Sequence, residues 1–292
     1  MPSLPDLPTE LLMEMVKYYP ELYLDIDASL QGVASEQFDG NDTLRALSQT
    51  CRTLRGIFLP VLWARVHACF TARNRPKKRV KRRAKMLERR MISIQKTSYV
   101  MPYIRSLSVT LAECNMNNWQ PMAEFIRVLG VLPNLQHLTV LGVFNEMIPV
   151  LSTACQGKVF PSILSLAVDD NLAPIIPCFP NVETLTLQPL SDGIGILRTV
   201  KDSCQHVHTV NNIKLWANVV KCLRDSIPNV KRLSVWKNFE LDCLRLLENM
   251  DNLSELRIRY RPLRGIISTV YGSPPTFTGG CNDRSQTGPA DI

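Results

Sequence analysis

No stretch of 18 or more consecutive apolar residues occurs in the 292-residue chain, so no segment has the make-up of a membrane-spanning helix. The opening MPSLPDLPTELL has neither a basic start nor an apolar core segment, and no secretory signal is expected there. Nine cysteines stand at positions 51, 69, 114, 155, 178, 204, 222, 243 and 281, never closer than 18 residues. An odd number at such spacing fits neither a disulfide framework nor Cys-x-x-Cys metal knuckles. Free, mostly buried thiols in a reducing compartment are expected instead. The chain also lacks H-E-x-x-H, G-x-S-x-G, Walker and kinase signatures, which favours a binding module over an enzyme.

Net charge is small outside one segment. The formal net charge is +8, yet residues 73–90 alone hold eleven Lys/Arg and one Glu, and everything else sums to −2. The basic character is therefore local. Conversely, residues 18–43 carry six acids and no Lys or Arg.

Hydrophobic residues make up 45% of the chain, enough to bury the core of a small domain and a larger one. Residues 4–70 read as a short helical unit. Pro8 suits a first helical turn, Glu10 lies near the positive end of the dipole, and Leu7, Leu11, Leu12, Met15 and Val16 make one apolar stripe. A second helix is expected after Asp42, a good N-cap, with Leu44, Leu47, Cys51, Leu54 and Phe58 on its apolar face. Pro60 is expected to start a third. Residues 18–43 form an insertion too long for a tight interhelical turn. Residues 71–98 read as a basic connector with a helix starting near Val80, and 272–292 as a disordered tail.

Residues 99–271 repeat. The segments from Leu132 (LPNLQHLTV), Phe160 (FPSILSLAV), Phe179 (FPNVETLTL), Ile227 (IPNVKRLSV) and Met250 (MDNLSELRI) share one pattern of apolar positions. Tyr103 opens a truncated copy and Cys204 a weak one. Leu107, Leu138, Leu166, Leu185, Val210, Leu233 and Leu256 are spaced by 31, 28, 19, 25, 23 and 23 residues. Intervening segments such as Trp119 to Leu129 place apolar residues at helical steps. The period and its L-x-x-L-x-L core resemble leucine-rich repeats, about seven irregular ones. Such a resemblance implies an α/β solenoid with a curved parallel sheet and outer helices.

The first region resembles the F-box. The likeness rests on Leu7-Pro8-x-Glu10-Leu11-Leu12, on Leu44-x-x-Leu47-x-x-x-Cys51-Arg52-x-Leu54, and on Leu59-Pro60-x-Leu62-Trp63. It spans roughly 45 residues once the insertion is removed. Two departures are the long insertion and Leu54, where an aromatic is common. The resemblance implies a small all-α F-box unit that docks on a Skp-type adapter, and through it a cullin–RING ubiquitin ligase of SCF type. The chain would perform no chemistry itself and would raise the effective concentration of a target protein near a ubiquitin-charged enzyme. The alternative is a repeat-based interaction scaffold acting independently of ubiquitin. On the first reading the adapter-binding residues are Leu7, Pro8, Leu11, Leu12, Met15, Leu44, Leu47, Cys51, Leu54, Leu62 and Trp63, shared between core and docking face.

Strand register gives the candidate target site. In L-x-x-L-x-L the apolar residues point inward and the alternate ones line the concave sheet. Early strands put small and mostly uncharged residues there, from Ser106 through His137 to Gln188. The last strands offer Arg232 and Trp236, then Arg257, Arg259 and Arg261, suited to an acidic or phosphorylated segment. Solubility of a solenoid end accounts for the same arginines equally well. Lys77 to Arg83 fits either a nuclear import signal or a solvated helix. No aromatics interleave these charges, so nucleic acid is not an expected partner. Cys204-x-His206-x-His208 shows no fourth ligand, and Cys204 fills an apolar slot, so no metal is expected. Gly193-x-Gly195 reads as a loop before a helix. No cofactor and no membrane contact are expected, and the location expected is cytoplasmic, nuclear or both.

Overall fold

The computed structural model describes residues 4–17, 35–68, 83–111, 119–143, 145–188, 192–236 and 241–259. Eight strands form one sheet in strict chain order, every neighbouring pair parallel: β1 Arg65–Ala68, β2 Ser106–Thr110, β3 His137–Leu141, β4 Ser165–Val168, β5 Thr184–Leu187, β6 Thr209–Ile213, β7 Arg232–Trp236 and β8 Glu255–Arg259. Strand following strand in parallel requires a return segment after each, and this is the geometry of a leucine-rich-repeat-like solenoid. The expected α/β repeat architecture is present.

The helices are α1 Thr9–Lys17, α2 Ser35–Thr50, α3 Arg52–Ala64, α4 Arg83–Lys96, α5 Gln120–Val131, α6 Ile148–Cys155, α7 Ile194–Ser203, α8 Ala217–Ser226 and α9 Leu241–Leu247. From α4 onward each return segment contains one, except between β4 and β5. There Asp170–Cys178 forms a 3-10 helix containing Pro174 and Pro177. Neither proline can donate the N–H that an α-helix needs, and this tighter connection matches the shortest repeat spacing.

Three boundaries differ from the sequence expectation. Helix α2 starts at Ser35, so Asp42 is not an N-cap but lies inside the helix, paired with Arg45 at 2.5 Å. The helix expected to run through Cys51 is two helices, because Cys51 adopts an extended backbone (φ −151°, ψ 171°) between α2 and α3. Pro60 does not start a helix. It sits within α3, whose buried Leu54 and Phe58 anchor the helix across the missing hydrogen bond.

The sheet also begins earlier than residue 99. Helix α3 leads directly into β1, which pairs with β2 through Val66 and Leu107. The segment expected as a connector is therefore the return segment of the first strand. Ala84, Leu87, Met91 and Ile94 on one side of α4 enter the main core, because only that face meets the sheet. The basic run up to Arg82, residues 18–34 of the insertion and the tail at 272–292 lie outside the described residues.

Two apolar clusters exist among the described residues. The large one runs from Val66 to Met250 along the inner face of the sheet. The small one holds Leu12, Leu44, Leu54 and Phe58, with Leu7, Leu47, Cys51, Ile57, Val61 and Leu62 partly buried around it. Polar ties link the repeats. From β2 to β7, one backbone carbonyl before each strand receives two N–H groups of the next repeat, as when Leu164 O accepts from Glu183 and Thr184 at 2.8 and 3.0 Å. Asn134, Asn181 and Asn252 each donate through Nδ2 to a proline carbonyl one repeat back (Pro102, Pro161 and Pro228) at 2.8 to 3.1 Å. Glu124 in α5 is buried and takes hydrogen bonds from Gln95 of α4, Gln120 and Arg127. Burial works to raise its pKa, but those bonds and the Arg127 charge outweigh it and hold the carboxyl below its usual range.

On the far side of the strands, Asp169 and Asn171 grip the preceding loop. Asp169 accepts from Val143 N–H at 3.1 Å and Asn171 donates to Val143 O at 2.9 Å. The second Asp169 oxygen is buried without a partner. Burial, reinforced by the charge of Asp170, pushes Asp169 up to about 6 against the pull of the Val143 bond.

Two stability predictions follow from these ties. Asn181→Ala removes one tie and should lower unfolding stability by about 0.5–1.5 kcal/mol in a denaturant titration. For Asp169 the folded pKa lies above the unfolded one, so the group costs stability once pH rises through this window. Asp169→Asn should therefore melt higher than wild type at pH 7, with the difference vanishing by pH 4.

Candidate functional site

Two surfaces carry chemistry suited to recognition, one at each end of the described sheet. At the start, α1 to α3 bury few large side chains among the described residues, and most of the proposed adapter residues belong to that small core. Leu12, Leu44 and Leu54 are buried, while Leu7, Leu47, Cys51 and Leu62 are partly so. Leu11 is 54% exposed, Pro8 is exposed, and Leu4 and Met13 are exposed beside them. Leu4 and Met13 were not among the expected docking residues. Leu4 stands four residues before Pro8 and seven before Leu11, a spacing that could have flagged it. The side chain of Met15 lies outside the described residues.

Trp63 behaves differently. It packs against the large core rather than the small one, and the Arg90 guanidinium lies 5.0 Å from its ring centre. This cation–π contact ties α3 to α4. Burial, then the charge of Arg45 in α2, lowers the Arg90 pKa. His67 of β1 shares this seam. Burial first, then Arg65 and Arg90, pushes it down to about 4. His137 is also lowered, by burial and then Arg65.

The concave face follows the expected register. One row runs Ser106, His137, Ser165, Thr184, Thr209, Arg232 and Glu255. Ser108, Thr110, Thr209 and Ser234 are nonetheless buried, so the face is only partly accessible. At its end Arg232 is held by Thr209 Oγ1 at 3.0 Å and His208 Nε2 at 3.3 Å. Arg257 pairs with Glu255, and Arg259 is exposed. The expected site residues Arg232, Trp236, Arg257 and Arg259 thus share one corner. Arg261 lies outside the described residues. Leu256 and Ile258, expected to point inward, are 39% and 40% exposed because no later strand among the described residues covers β8.

The remaining motifs are structural. Cys204 Sγ–H donates to Phe179 O at 3.3 Å within the core, and burial pushes the thiol up to about 11. Gly193 has φ +70°, and a Cβ there would overlap the Leu187 side chain. No group of three His, Cys, Asp or Glu able to hold a metal is found among the described residues.

No known protein-family model matches the chain, and no curated protein matches it either. Among solved structures, the leucine-rich repeat-containing protein LegL7 from Legionella pneumophila aligns at 14% identity and a TM-score of 0.41, over 70% of this chain and 69% of that one.

The seam makes stability depend on pH with a definite sign. His67 has a folded pKa below its unfolded value, so its contribution is complete above about 6.5 and fades as pH falls toward 4. The melting temperature of wild type relative to His67→Gln should fall between pH 7 and pH 5. A constant difference across that range contradicts the buried neutral imidazole.

Proposed function

We propose that the chain is a non-catalytic substrate-recognition subunit of an SCF-type cullin–RING ubiquitin ligase, acting in the cytoplasm, the nucleus or both. In this reading α1 to α3 dock on a Skp-type adapter and the concave sheet holds the target protein. The observation that carries it is the unfinished apolar surface of α1. Among the described residues, four buried apolar side chains are a thin core for three helices, yet Leu4, Leu11 and Met13 remain in solvent. Exposed leucines beside a marginal core are suited to helix-in-groove docking. The F-box likeness of the Leu7–Leu12 segment supplies the partner class. The basic segment then serves as an import signal or as a solvated part of the first return segment.

A second reading is favoured by the Trp63 seam. With α3 running straight into β1 and Trp63 seated on the large core, the helical unit can serve as an N-terminal cap of a scaffold that acts without ubiquitin. Exposed ends of repeat arrays need such covers.

One comparison separates the two. Purified full-length chain is mixed with the Skp-type adapter, and binding is measured for wild type and for Leu11→Glu,Met13→Glu. Docking predicts a wild-type complex that weakens at least tenfold in the variant, consistent with about 1–3 kcal/mol for a central apolar anchor, while the melting temperature stays within a few degrees. Absence of a wild-type complex favours the cap. Leu12→Glu is unsuitable as the test, because Leu12 is fully buried and its loss would unfold the helical unit.

A further inference from the structure

The concave rows change character abruptly at β7. Between β5 and β6, Asn211 Nδ2 donates to Thr186 Oγ1 at 3.3 Å. In β7, Ser234 is 1% exposed and its Oγ has no hydrogen-bond partner. Trp236 Nε1 is likewise buried and unpartnered. Buried polar atoms are rarely left this way. Between the two strands the register slips, and the extra residue, Asn212, takes a left-handed backbone (φ 64°) with a buried, unpartnered Oδ1. Strain and unmet hydrogen bonding concentrated at one spot mark a place kept for something other than stability.

The neighbours define what that something is. Register sets Arg257 beside Ser234 and Arg259 beside Trp236, with Arg232 one position before Leu233. Arg257 is occupied by Glu255, the acid of the same strand. No hydrogen bond or ion pair engages Arg259 among the described residues. A hydroxyl, an indole N–H and guanidinium forks are all donors, and together they match carboxylate or phosphate oxygens. The four strands β5 to β8 span about 14 Å at about 4.8 Å per strand. An extended peptide of about four residues covers that distance.

We infer that this corner binds an extended anionic segment of another protein, with Arg257 and Arg259 taking its acidic oxygens and Ser234 and Trp236 supplying the neutral donors. Binding transfers Arg257 from Glu255 to the ligand, so Glu255 acts as a built-in competitor. This deepens the target-recognition reading and rests on it. Carboxylate side chains and phosphoserine offer the same chemistry here, and the test distinguishes them.

The full chain is labelled with nitrogen-15, and its four tryptophan indole signals are followed, Trp236 being assigned by loss of its signal in Trp236→Phe. Three heptapeptides are titrated: one rich in Glu, one with phosphoserine in place of the Glu residues, and one with Gln. A saturable downfield shift of the Trp236 indole proton is expected with at least one anionic peptide and not with Gln. Whichever anionic peptide binds tighter names the source. Arg257→Ala,Arg259→Ala should weaken that affinity at least tenfold, and Glu255→Gln should strengthen it severalfold. No Trp236 shift with either anionic peptide, an equal shift with the Gln peptide, or unchanged affinity in the double arginine variant overturns the proposal. Adapter binding measured on the same preparation keeps the two readings apart, since an intact adapter complex alongside a failed titration rejects only this site.

Discussion

A parallel strand of five residues cannot bury its own inner side chains, and the whole chain is organised around that shortfall. Val66, Leu107, Leu138, Leu166, Leu185, Val210, Leu233 and Leu256 lie side by side in register. Each covers the flank of the last, so no single repeat is stable alone and burial spreads along the row. The leucines hold the interior, and the shared carbonyls and asparagine bonds fix the register at which they meet. One device supplies the free energy and the other the alignment. The two candidate surfaces fall at the two ends of the row, where this mutual cover is altered.

The N-terminal end shows how one stretch serves two neighbours. Helix α3 contributes Leu54 and Phe58 to the small cluster, yet Trp63, near its end, belongs to the large one. The helical unit and the sheet are thus joined by a shared helix and a stacked guanidinium rather than by a loose linker. Leu11 and Met13 sit on α1, at the far end of the unit in sequence from that junction. A change in α1 can therefore alter the exposed face without passing through the Trp63 contact.

Much of this was legible in the residues. From β2 onward, recurring leucines gave both the strands and the concave rows, because alternation in a strand fixes which side chains face outward. Strand β1 was hidden, since Val66, His67 and Ala68 carry no repeat signature and directly follow a helix. Its existence depends on pairing with β2. The early start of α2 was equally silent, because residues from Ser35 to Asp42 include a single large apolar residue, Phe38, and so show no periodic face. For the docking residues, sequence gave the stripe but not its division. Which of two adjacent leucines is buried, Leu12 or Leu11, depends on where α2 and α3 lie. The arginine corner was readable from register, whereas the unmet Ser234 and Trp236 atoms depend on neighbours in space.

The proline-bearing 3-10 segment between β4 and β5 has a geometric consequence. Strands stand about 4.8 Å apart, but α-helices with their side chains are about 10 Å wide. Helices on the outer side therefore act as wedges that bend the sheet. Asp170–Cys178 is a narrower wedge than its α-helical neighbours. A narrower wedge bends the sheet less at that repeat than an α-helix would. That repeat lies between the histidine-bearing strands β1 and β3 and the arginine corner, so a chain bound along both would cross the part of the sheet that its outer segments wedge least.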